Sequence, residues 1–110
     1  MTQEPHALDE SLFARKLEWA DAQSMEGGTL TCFVAGAQPL ALAVTQAREL
    51  PAPSGARQFT LAMRGPAQPL LPQGTYRMRH ERLGDYAIFI TAVGRSADAC
   101  LYEACFTHVD

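Results

Sequence analysis

A chain of 110 residues has room for one independently folding core but not for a catalytic domain beside a partner domain. Its 47% hydrophobic content is ordinary for a globular protein, and its formal charge of −3 argues against a dedicated nucleic-acid binder, whose phosphate contacts call for a basic footprint. No apolar run approaches the ~20 residues of a membrane-spanning helix. Cys32, Cys100 and Cys105 show no paired spacing, and no secretory leader pattern precedes them, so the expectation is reduced thiols in a cytoplasmic protein.

In chain order, residues 1–7 are expected to fray, and the whole of 1–110 is expected to form a single domain. Residues 8–21 carry the only helical pattern. Asp9 or Ser11 would cap it, Phe13, Leu17 and Ala20 form one stripe, and Phe13 and Trp19 would dock on the core. Glu18 and Asp21 oppose the helix dipole near its C-terminus, and Gly27 and Gly28 stop it.

From Thr29 the pattern changes to period two, with turn residues between the runs, and six strands are predicted at 29–34, 39–49, 57–64, 75–82, 85–93 and 100–108. In the third, Phe59, Leu61 and Met63 alternate with polar or small residues and define an inner face. In the fourth, Tyr76, Met78 and His80 alternate with Arg77, Arg79 and Glu81, giving a charged outer face. Leu83 and Gly84 predict a tight antiparallel hairpin, with Gly84 at positive φ. Leu71, Pro72, Gln73 and Gly74 suit a type I turn at the end of a ten-residue connection, 65–74, that holds three prolines. The fold class expected is mainly β: a six-stranded, mostly antiparallel small barrel or sandwich in meander order, with one short N-terminal helix over an open end or edge.

The chemistry-bearing residues are few. No C-x-x-C, H-x-x-x-H or H-E-x-x-H spacing occurs, so neither a metal nor another cofactor is expected; a His80, His108 and Cys105 cluster would need strands four and six to converge. The three cysteines read as core thiols, and Ser54 and Ser96 as turn residues without a nucleophile-elbow context. No pair of carboxylates and no glycine-rich phosphate loop stands out, so no catalytic residue is assigned. Two groupings remain. Arg64, Arg77 and Arg79, with Pro66 and Pro69 of the proline-rich connection, form a candidate interaction surface. Tyr76, His80 and Cys105 form a candidate pocket at the barrel mouth. The structural alternatives are a solvated face paired with carboxylates for Arg77 and Arg79, and hydrogen bonds to loop carbonyls for Arg64.

The string Arg64-Gly65-Pro66-x-x-Pro69-Leu70-Leu71-Pro72-Gln73-Gly74-Thr75-Tyr76-Arg77, followed by Tyr102-Glu103-Ala104-x-Phe106, resembles a family of small bacterial domains of unknown function. The resemblance covers the second half of the chain. It implies no activity, cofactor or catalytic residue, and it implies an association with phage-tail-like collar proteins. Met63, Arg79 and Cys105 depart from that family's pattern. The function expected is therefore a non-enzymatic interaction or structural accessory module that binds a protein partner or a second copy of itself. The alternative is a small ligand-binding protein or enzyme with its site in the barrel mouth.

Overall fold

The computed structural model describes residues 5–109. These form two short helices, α1 (Glu10–Ala14) and α2 (Trp19–Ser24), and six strands: β1 (Thr29–Phe33), β2 (Leu40–Leu50), β3 (Ala56–Pro66), β4 (Gly74–His80), β5 (Gly84–Arg95) and β6 (Ala99–Val109). All six pairings are antiparallel, and they close a barrel in the order β1-β2-β3-β6-β5-β4. The barrel expectation holds. The meander expectation is corrected, because two three-stranded meanders are joined so that β3 lies beside β6 and β4 beside β1. The proline-rich connection makes this order feasible: it carries the chain across one end of the barrel and buries Leu71 there at 2% exposure.

Period-two patterning supplies the interior. Leu30, Leu42, Val44, Phe59, Leu61, Met63, Met78, Ile88, Ile90 and Tyr102 all point inward with 1% exposure or less. Gly65 sits where the wall is tightest. A Cβ there would stand 2.7 Å from Leu42 Cδ2 and 3.4 Å from the Tyr102 ring, so any side chain at this position requires Leu42 to shift.

The seams of the barrel are shorter than its strands. β1 meets β2 only over 29–32 and 40–43, and β5 meets β6 only over 91–95 and 100–103. The loops at 34–39, 67–73 and 96–98 all lie at the end where these seams close. At the other end the halves β1-β4-β5 and β2-β3-β6 separate, leaving a wedge that would expose core side chains. The N-terminal segment fills it. Leu17, Ala22 and Met25 are 3%, 0% and 0% exposed, and Trp19 packs on Phe59 with ring centroids 5.3 Å apart.

That task breaks the single helix expected over 8–21 into two. Asp9 caps α1, its Oδ1 accepting the Leu12 N–H at 3.0 Å. At Arg15 the backbone becomes extended (φ −78, ψ 111) while the side chain reaches across to β5. There the guanidinium lies 3.9 Å above the Tyr86 ring and donates to the Leu83 and Asp85 carbonyls. Phe13, expected to dock, is 62% exposed; Leu12 takes the inward position. Of the segment expected to fray, 1–4 lie outside the described residues, while the Ala7 carbonyl accepts a hydrogen bond from Arg77 Nη1 at 3.0 Å.

Candidate functional site

β4 is the strand on which sequence and structure place the most chemistry. Its outward residues Arg77 and Arg79 lie beside Phe33 and Thr31 of β1, and Arg79 stands across from Asp85 of β5. Arg77 Nε donates to Asp85 Oδ2 at 2.8 Å; Arg79 donates through Nε to Oδ1 at 2.7 Å and through Nη2 to Oδ2 at 3.0 Å. The Arg79 hydrogen bonds, helped by Arg77 and opposed by partial burial, hold the Asp85 carboxyl below its ordinary pKa. Both arginines share one carboxylate, and Arg77 also anchors the N-terminal segment with its side chain only 17% exposed. The carboxylate that pairs with this face is the cross-strand Asp85.

Arg64 is not part of that cluster. In a ring of six strands β3 and β4 are three positions apart, so Arg64 lies on the opposite side of the barrel from Arg77 and Arg79. Among the described residues it makes no ion pair and no hydrogen bond to the proline-rich connection. That connection is held by other groups: Tyr102 Oη accepts the Leu71 N–H at 2.9 Å, the Tyr76 hydroxyl donates to the Pro72 carbonyl at 2.6 Å, and the Cys100 thiol reaches the Ala67 carbonyl at 3.4 Å. The chain bends at Gln73, within the segment where a turn is expected.

Arg64 instead borders an apolar surface. It stands across from Leu101 of β6, and Pro66 stands across from Ala99. Leu101 lies against Gly94 of β5, and beside it Val93 is the extra residue of a β-bulge. Leu101, Val93 and Phe89 project from β5 and β6 with exposures of 41%, 57% and 51%. Pro69 and Leu70 are exposed in the connection at the same end of the barrel. Alternation within the strands marks Phe89 and Leu101 as outward facing, but the β5-β6 pairing that brings Val93 beside Leu101 depends on the whole ring.

Tyr76, His80 and Cys105 do not converge. Tyr76 and His80 both point inward from β4 but lie roughly 13 Å apart along the strand, at opposite ends of the barrel. Cys105 faces outward from β6 and is exposed. Burial pushes the Cys32 thiol up to about 11, and burial together with Glu103 raises that of Cys105, so neither supplies a thiolate near neutral pH. His108 stands edge-on to Phe59 at 5.3 Å, its pKa lowered first by burial and then by Lys16. Among the described residues no group of three or more His, Cys, Asp or Glu side chains is placed to hold a metal ion.

A family model described as Domain of unknown function (DUF6916) matches residues 17–106. The chain belongs to that family. No curated protein and no solved structure matches the chain. The matched segment of this DUF6916 member opens at Leu17, the first wedge-filling side chain, and closes at Phe106, which stacks on Phe59 with centroids 4.9 Å apart. The stapled segment carrying Ala7, α1 and Arg15 lies before it.

Proposed function

We propose that this DUF6916 protein is a non-enzymatic interaction module that meets a protein partner through the outward surface of β5 and β6. The observation that carries this reading is the exposed pair Val93 and Leu101 at the β5-β6 seam, with Phe89 exposed roughly 13 Å further along β5. The β5-β6 ladder closes this seam, so a partner on its outward surface would meet side chains. Val93 beside Leu101 supplies an apolar centre, Phe89 extends it along β5, and Arg64, across from Leu101, supplies a polar rim. The partner that fits is a surface apolar at its centre, with a carboxylate facing Arg64. The resemblance of the second half of the chain to small bacterial domains associated with phage-tail-like collar proteins supports a structural accessory role in such an assembly.

Light scattering on the purified protein, alone and mixed with the product of the adjacent gene, tests this reading. The expected result is a co-eluting complex whose mass exceeds the 12.0 kDa of this chain by that of the partner. Self-association through the same face would support the module reading with a second copy as the occupant. A strict monomer that ignores its neighbour would contradict it.

A further inference from the structure

A closed ring has no strand edges, but this ring closes over only part of its height, and the strands that run on past the seams at the wedge end present edges there. Two of these edges are covered. Along β5, Arg15 donates to the Leu83 and Asp85 carbonyls, and α1 packs beside the strand. Along β2, α2 packs beside the strand and Glu26 Oε1 accepts the Ala47 N–H at 2.8 Å. A β-bulge between Val44 and Gln46 and the charged Arg48 and Glu49 blunt what remains of that edge.

β6 has none of these covers. Its ladder with β5 ends at the pair of Thr91 and Glu103, whereas its ladder with β3 runs on to Val109. From Ala104 to Val109, period two turns every second backbone N–H and C=O away from β3. Among the described residues, nothing outside the β3 ladder bonds to the backbone of 104–109. The N-terminal segment comes near through Lys16 and Glu18 at the inward-facing His108, across the sheet from the exposed Cys105, Thr107 and Val109. The stretch also lacks the devices that keep strand edges apart: it holds no lysine, arginine, carboxylate or proline, and its register with β3 runs without a bulge.

We propose that residues 104–109 of β6 pair antiparallel with the same residues of a second copy of the chain, about a two-fold axis at Thr107. An antiparallel edge is complementary to its own copy under a two-fold rotation. This register sets Cys105 across from Val109 and Thr107 across from itself, leaves Glu103 outside the paired stretch and opposes no like charges. A ladder this short is smaller than a standard interface, so the dimer forms at about 1 mM chain and is dissociated at about 10 µM. The edge is separate from the outward surface around Val93 and Leu101, and light scattering near 10 µM reads that surface alone, so neither proposal depends on the other.

The test is sedimentation of the full chain at about 10 µM and about 1 mM, with a reductant present to keep Cys105 from cross-linking. The wild type is expected to pass from 12.0 kDa to twice that mass between the two concentrations. Thr107→Lys and Thr107→Glu each set like charges opposite one another at the axis and should weaken the dimer about fivefold or more. An equimolar mixture of the two variants should recover it, which also shows that both are folded. A wild type that stays monomeric at the higher concentration, leaving the edge to a strand from another protein, would overturn the proposal. Variants that dimerise as tightly as the wild type, or a mixture that does not recover the dimer, would overturn it as well.

Discussion

Asp85 concentrates more of the electrostatics than any other side chain. It is 12% exposed and binds two guanidinium groups, so removing its charge leaves Arg77, 17% exposed, without its ionic partner. Asp85→Asn is expected to destabilise the fold by about 1–2 kcal/mol, a figure kept low because Arg79 is half exposed and well solvated. Its pKa is lowered in the folded protein, so its contribution is present above the unfolded value, near 3.8, and is lost as pH falls through the lower folded value. Urea titrations at pH 7 and across the acid range should show the wild type losing this increment below about pH 4. Asp85→Asn should lack that part of the acid dependence, and an unchanged acid limb in the variant would contradict the assignment.

At the scale of elements, the proline-rich connection and the tight wall at Gly65 set the barrel's closed end. Tyr102→Phe removes the acceptor for the buried Leu71 N–H and is expected to cost about 1–2 kcal/mol. Faster amide exchange at Leu71 would accompany the loss, and unchanged protection there would count against this anchoring role. Gly65→Ala forces a methyl to within 2.7 Å of Leu42 Cδ2 and should cost about 1–3 kcal/mol in a thermal or denaturant melt. A variant as stable as wild type would show that Leu42 has room to move.

These elements also show what the sequence made legible. Alternation of Phe59, Leu61 and Met63, and of Tyr76, Met78 and His80, located β3 and β4 to within two residues because a barrel wall has one dry face. Gly84, at φ +86, marked the hairpin for a local reason. The strand order was not legible, because the β3-β6 and β1-β4 pairings join residues far apart in sequence and leave no local trace. The helix break had the same cause: a continuous helix would not carry the Arg15 guanidinium to Tyr86, about seventy positions away. At the candidate sites, sequence placed Arg77 with Arg79 and turned His80 inward. It put Arg64 and Cys105 with the wrong neighbours, since which strands are adjacent decides which outward residues meet. His80 Nδ1 accepts the Arg82 and Leu83 N–H groups of the turn that follows, a role that no side-chain pattern reports.

As a whole molecule, the protein is two three-stranded halves zipped at one end and wedged apart at the other by its own N-terminal segment. The wedge side is covered by α1, α2 and the Arg15 and Arg77 staples, whereas the zipped side leaves Phe89, Val93 and Leu101 exposed. The most direct test is the solution mass of a Phe89→Ser/Leu101→Ser double variant beside the wild type, under conditions where the wild type forms its complex. The prediction is that the variant elutes as a 12.0 kDa monomer, with a melt close to wild type because outward-facing substitutions usually change stability by only about 0.5 kcal/mol each. A well-folded variant that still forms the complex would contradict the assignment of this face.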